Sequence, residues 1–206
     1  MILQVFAIIF LISLFGTIPP ATINITVMQL SLKKQAKSAV FLSLGAAMLD
    51  TVYAGLAVKI QQFLSDRIEV TNYFYLLAAL VLMFLGVASL LTKPTQVAVE
   101  IKDDRRMGFV KGLILGALNP LAMPFWLGVT SYLLLQDLIS LEGANYWSYI
   151  AGVFLGEFGM LMVIVRIGNR FKRVSDNRMI VNTIPGIALL VLGVINMVQW
   201  ALFYWN

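Results

Sequence analysis

Long apolar stretches alternate with short polar connections along the whole chain. An apolar stretch of about 20 residues is long enough to cross the hydrocarbon core of a membrane as a helix. Six such stretches are predicted to span a membrane: Leu3–Gln29, Ser38–Val58, Asn72–Leu91, Phe109–Leu135, Tyr146–Val165 and Ile180–Tyr204. Nothing is left over for a soluble domain. The pattern therefore predicts one all-α polytopic membrane unit over residues 1–206, with the lipid bilayer as its main partner.

The composition agrees with this class. Sixty per cent of the residues are hydrophobic and only 12% are charged, whereas soluble domains carry about 25% charged residues. The chain contains no cysteine and no histidine. Thiol redox chemistry, disulfides and metal sites built on Cys or His are therefore excluded, and no cofactor is expected.

Short sequence elements recur in the two halves of the chain. Gly16–Pro20 aligns with Gly116–Pro120 at an offset of 100, and Gly45–Asp50 aligns with Gly152–Glu157 at an offset of 107. The second alignment places an acid on an acid. The third and sixth stretches also share a Leu-Gly-Val sequence at the offset of 107. Internal repetition of this kind predicts two copies of one three-helix unit.

An odd number of spans in each half means that the second half enters the membrane from the opposite side. The prediction is an inverted repeat, as in many secondary transporters. Residues 1–92 form the first repeat and residues 108–206 the second. A charged linker over residues 93–107, predicted to be cytoplasmic, joins them.

The net charge of +5 invites a nucleic-acid interpretation, which is rejected because the basic residues lie in short connections between spans. Basic connections stay in the cytoplasm, so membrane orientation alone explains them. Both termini are then predicted outside a bacterial-type inner membrane. The basic residues of the three predicted cytoplasmic connections are Lys33, Lys34, Lys37, Lys93, Lys102, Arg105, Arg106, Arg166, Arg170, Lys172, Arg173 and Arg178, with Lys111 just inside the fourth span.

Prolines interrupt the first and fourth predicted helices at corresponding positions. Pro19 and Pro20 lie inside the first span, where each removes an amide donor, and Asn119-Pro120 lies inside the fourth. Paired interruptions in corresponding helices indicate a binding site near the membrane midplane. Thr22 and Asn24 follow the first break and are predicted to line that site. The alternative is a packing kink that neighbouring helices satisfy.

Two acids lie inside apolar spans, Asp50 in the second and Glu157 in the fifth. Ionisable residues within a membrane are costly and usually mark substrate or proton pathways. Both are therefore candidates for proton or substrate binding, although a structural hydrogen bond to freed backbone groups is the alternative. Tyr53, on the same helical face as Asp50, is a candidate partner. Trp126 is interpreted as a packing residue.

Glycines recur every four residues on two of the predicted helices, a spacing that lets helices approach closely in lipid. They are Gly108, Gly112 and Gly116 on the fourth span, and Gly152 and Gly156 on the fifth. Their predicted role is structural.

The chain resembles the LysE/RhtB family of six-helix amino-acid exporters over nearly its whole length. The resemblance rests on the order and spacing of four segments, namely Gly16-Thr17-Ile18-Pro19-Pro20-Ala21, Ser31-Leu32-Lys33, Gly45 to Tyr53 through Asp50, and Gly108 to Trp126 through Asn119-Pro120. Pro20 and Ala21 depart from the family's Pro-Gly-Pro, and Leu121 stands where a basic residue often follows Asn-Pro. The resemblance implies export of amino acids or related solutes, driven by the proton gradient.

The predicted function is therefore proton-coupled export of an amino acid or similar small molecule, and not catalysis. A divalent-cation exporter is the alternative within transport, because two acids and freed carbonyls suit a hard cation. A membrane scaffold or assembly protein is the alternative from a different class. A homo-oligomer is left open.

Overall fold

A computed structural model of the protein describes residues 1–17, 22–65, 76, 79–80, 82–84, 86–87, 89–91, 103–119, 122–135, 137–175, 179 and 183–205. These residues form helices joined by short turns and contain no β-strand. The all-α prediction is therefore confirmed for them. The helices are α1 (Ile2–Gly16), α2 (Thr22–Leu32), α3 (Ala36–Ser65), α4 (Leu82–Leu91, over its described residues), α5 (Arg105–Ala117), α6 (Ala122–Leu135), α7 (Ala144–Ser175) and α8 (Ile184–Trp205).

Helices α3 and α7 are each long and apolar enough to cross a membrane. The pair α5 and α6 is a third candidate, since it passes the same test as one span bent by 65°. In the described part of the chain, the remaining apolar helices are shorter and include α1, α2, α4 and the Gly186–Leu202 part of α8. The count of six spans stays a prediction.

The chain leaves the α-helix in the first and fourth predicted spans. Helix α1 ends at Gly16 and α2 begins at Thr22, while α5 ends at Ala117 and α6 begins at Ala122. Pro19, Pro20 and Pro120 lie outside the described residues.

Glycines bring helices from the two halves of the sequence into close contact. A side chain at Gly112 of α5 would meet the carbonyl oxygen of Leu42 on α3, and one at Gly156 of α7 would meet the carbonyl oxygen of Phe10 on α1 at 2.6 Å. Real Cβ atoms do not approach other atoms so closely, so only glycine fits. The predicted packing role is confirmed for these two and for Gly108, Gly116 and Gly152.

Asp104 sets the start of α5. Its carboxylate accepts a hydrogen bond from the amide of Met107 at 2.9 Å, and the Ser38 hydroxyl donates to its carbonyl at 3.1 Å. This N-cap satisfies an amide that the helix leaves unpaired. The helix consequently begins at Arg105, three residues before the predicted start of the second repeat.

Helix α7 continues past the predicted end of its span at Val165 and bends there. Ile167 has non-helical angles, φ −111° and ψ 25°. The Ser31 hydroxyl at the end of α2 donates to the Val165 carbonyl at 2.5 Å. A side chain that inserts into the backbone hydrogen bonds of a helix is a recognised cause of a kink. The hydrogen bond from Ser31 therefore accounts for the bend of α7 and holds the end of α2 against it.

Candidate functional site

A cavity of about 290 Å³ lies where the broken helices meet α3, α7 and α8. Small-molecule sites in proteins range from about 300 to 1,000 Å³, so this one suits a small solute. Its lining residues are Ser13, Gly16, Thr17, Ile23, Asn24, Asp50, Asn119, Ala122, Phe125, Trp126, Glu157, Ala188, Leu189 and Leu192. None of them is basic.

The two intramembrane acids meet in this cavity. Asp50 comes from the middle of α3 and Glu157 from the middle of α7, and their carboxyl groups line the same cavity close enough to interact electrostatically. Glu157 is only 6% exposed, and its Oε2 is buried with no hydrogen-bond partner among the described residues. A buried polar atom without a partner is uncommon and calls for an explanation such as an ion or a ligand.

Trp126 is the hydrogen-bond partner of Asp50 in the cavity. The indole Nε1 donates to Oδ2 of Asp50 at 2.9 Å, and the ring is buried edge-to-face against Phe125 and Tyr149. The interpretation of Trp126 as a packing residue was therefore incomplete. The donor that reaches Asp50 lies 76 residues away in the sequence, and spacing along one helix cannot reveal it.

The other hydrogen-bond donors of the lining are mostly engaged with backbone carbonyls. Ser13 donates to Val153 O at 2.8 Å, which ties α1 to α7. Thr17 donates to Ser13 O at 2.7 Å, and the Asn24 amide nitrogen donates to Thr17 O at 2.5 Å. The bonds from Thr17 and Asn24 satisfy carbonyls at the end of α1, where the helix stops.

The residues predicted for the site are brought together only in part. Asp50, Glu157, Asn24 and Asn119 line the cavity. Thr22 is exposed and absent from the lining.

Tyr53 is also absent from the lining, because its hydroxyl donates to the Ala117 carbonyl at 3.0 Å. Pro19, Pro20 and Pro120 lie outside the described residues. Ser13, Phe125 and Trp126 also line the cavity, and their positions along the helices do not predict this.

No group of three or more His, Cys, Asp or Glu residues that could hold a metal ion occurs in the described part of the chain.

Apolar helices around a cavity that two acids from the interior of those helices line are typical of an integral membrane transport protein. The chain belongs to the LysE type translocator family, whose model matches residues 14–199. It is similar to a Bacillus subtilis (strain 168) protein named "Putative amino acid efflux protein YcgF", with 22% identity over 183 residues, covering 85% of this chain and 86% of that protein. No solved structure gives a significant match.

Proposed function

We propose that the protein exports amino acids or related small metabolites across a bacterial-type inner membrane in exchange for protons. The meeting of Asp50 and Glu157 in one cavity without a basic residue in its described lining carries this proposal. Family membership supports export, and the name of the B. subtilis relative supports amino acids as the substrate class.

The contact between the two carboxyl groups suggests how protons are coupled to substrate. Two carboxylates in contact repel each other, so the pair is stable when it holds one proton. A substrate ammonium could take the place of that proton, because either cation balances the negative charge. The pair would then release a proton when it binds substrate and release substrate when it binds a proton. Tyr149, whose ring contacts Trp126, is a further titratable group close to Asp50.

The packing of the helices supports an inverted repeat around this cavity. Gly45 of α3 contacts Phe109 of α5, and Gly152 of α7 contacts Ile9 of α1. Gly45 and Gly152 correspond at the offset of 107, and Ile9 and Phe109 at the offset of 100. The contact between Gly45 and Phe109 therefore corresponds to the contact between Gly152 and Ile9, with the glycine in the first half in one case and in the second half in the other. A two-fold axis between the repeats requires such paired contacts. Such a fold can open to either side by equivalent motions.

The proposal is tested by flux in proteoliposomes under an imposed pH gradient, with amino acids screened one by one. The variants Asp50→Asn and Glu157→Gln are expected to insert and fold but to lose at least tenfold in gradient-driven flux. The matched controls Asp137→Asn and Glu142→Gln change exposed acids that the cavity does not include, and they should keep the wild-type flux. Asparagine also tolerates the φ of +53° at position 137.

The same vesicles separate the alternatives. Flux of a divalent cation in place of amino acids would identify a cation exporter. Unchanged gradient-driven flux in both cavity variants would overturn the role given to the two acids. Absence of flux for every solute, with wild-type function retained by the variants in cells, would indicate a scaffold.

A further inference from the structure

The described lining of the cavity is rich in hydrogen-bond acceptors, and several of its side-chain donors are already engaged. The donors of Ser13, Thr17, Asn24 and Trp126 each make a hydrogen bond to a protein acceptor. On the acceptor side, Oε2 of Glu157 has no partner among the described residues, and the two acids supply four carboxyl oxygens to one small space. A site of this kind suits a ligand group that donates hydrogen bonds.

The charge of the acid pair also favours a ligand group that donates hydrogen bonds and carries a positive charge. The acid pair carries a net charge of −1 when it holds one proton, and the lining described by the structure contains no basic residue. A bound ammonium that takes the place of that proton would keep the net charge of the site at −1, and charge-assisted hydrogen bonds to a carboxylate are strong. A carboxylate in the cavity would place a second negative charge beside the pair, and burying a charge without a partner is costly.

The rest of the lining is apolar. Ile23, Leu189 and Leu192 contribute aliphatic side chains, and Phe125 contributes an aromatic ring. These walls suit a short hydrocarbon chain, and the volume of about 290 Å³ limits its length.

We infer that the cavity recognises its substrate through the ammonium group, with Glu157 as the anchor, so that short aliphatic primary amines bind as well as amino acids. This inference rests on the proposed function in taking the cavity as the transport site. Asp50 is the less available of the two acids because the Trp126 indole is bound to it. The substrate carboxylate is dispensable for binding.

Three small probes of similar shape test the inference on the full-length protein in detergent. Isobutylamine carries only the ammonium, isovalerate only the carboxylate, and isobutanol is a neutral analogue of the amine. Binding is measured as a saturable rise in the thermal unfolding temperature, because a ligand that binds only the folded state stabilises it. Isobutylamine is expected to stabilise the protein at concentrations at least tenfold below those needed for isovalerate or isobutanol.

A second readout places the binding in the cavity. With Trp147, Trp200 and Trp205 changed to Phe, the remaining Trp126 lies in the lining, and its fluorescence should respond to isobutylamine with the same half-saturating concentration. Glu157→Gln should weaken the response at least tenfold, whereas the control Glu142→Gln should leave it unchanged. Equal or tighter binding of isovalerate, or amine binding that survives Glu157→Gln, would overturn the inference.

The probe comparison in the wild-type protein keeps the test decisive if Glu157→Gln does not fold. Binding in detergent needs no gradient and no transport. Amine binding without proton-driven flux would therefore reject the proposed function alone, and proton-driven amino-acid flux without amine binding would reject this inference alone.

Discussion

At the scale of single residues, the indole of Trp126 fixes the orientation of Asp50 while its ring packs between Phe125 and Tyr149. The side chain is only 1% exposed, so water does not compete for its N–H. A hydrogen bond to a charged group contributes about 1.5–3 kcal/mol. Trp126 thus links α6, which follows a break, to the acid on α3.

The variant Trp126→Phe removes this donor and keeps most of the ring. Gradient-driven flux is expected to fall about tenfold, because about 1.4 kcal/mol corresponds to a factor of ten. The protein should still fold, since the aromatic packing is largely retained. Trp147→Phe is the matched control, because Trp147 is 69% exposed, and it should keep the wild-type flux. Equal flux in the two variants would show that the indole N–H has no part in transport.

The acids were predictable at this scale and their partners were not. Asp50 and Glu157 stand out because a charge inside an apolar stretch is rare. The donor from Trp126 depends on how α3 packs against α6, which residue spacing does not encode. Tyr53 shows the converse error, in which spacing predicts a partner that the structure does not have. It shares a helical face with Asp50, yet its long side chain reaches the Ala117 carbonyl at the end of α5.

At the scale of helices, the contacts between the two halves depend on positions that have no side chain. Gly112 lies against the backbone of Leu42, and Gly156 against that of Phe10. Backbone atoms cannot move aside as the end of a flexible side chain can. These contacts fix the distances from α3 to α5 and from α1 to α7.

Adding one methyl group at Gly112 should force α3 and α5 apart. Overpacking of this kind costs about 1–3 kcal/mol, so Gly112→Ala is expected to lower the thermal unfolding temperature in detergent. Gly128 on α6 is a matched control because a Cβ there has no atom within 4 Å. Gly128→Ala should be neutral or stabilising by up to about 1 kcal/mol, since alanine favours a helix over glycine. Equal losses in the two variants would contradict the packing described for α3 and α5.

The sequence predicted the helix breaks well and the helix ends poorly. Prolines marked both interruptions because they cannot donate to the helical ladder. Helix α3 continues to Ser65, seven residues beyond the predicted Val58. It does so through a polar stretch in which Gln61 is only 8% exposed and accepts a hydrogen bond from Ser131 at 2.8 Å. A boundary predicted from hydropathy falls at the first polar residues, whereas the helix itself continues as far as its tertiary contacts support it.

At the scale of the whole molecule, helices of the first half pack mainly on helices of the second half. Helix α1 packs on α7, and α3 packs on α5, so each close pair joins one helix from each half. In α4 and α8, Gly86 and Gly186 lie against each other's helix. The cavity collects residues from both halves. Neither half of the chain alone supplies the whole lining.

Labelling of single cysteines tests whether the two halves are inverted, and the absence of native cysteine makes the experiment clean. Lys37 lies in the first turn of α3 and Glu142 just before α7, and both are exposed. They correspond to within two residues at the offset of 107. An inverted repeat puts them on opposite sides of the membrane, and the positive-inside rule puts Lys37 in the cytoplasm.

On intact cells, a membrane-impermeant maleimide should therefore label Glu142→Cys, and it should label Lys37→Cys only after permeabilisation. Labelling of both positions from one side would show that the two halves have the same orientation in the membrane. A two-fold axis in the membrane plane could then not relate the contact at Gly45 to the contact at Gly152. Labelling with the sides reversed would keep the inverted repeat and overturn only the orientation. The two variants thus test two properties separately. One is the inverted symmetry of the two halves, which the helix packing supports, and the other is the orientation of the protein in the membrane, which the distribution of lysine and arginine predicts.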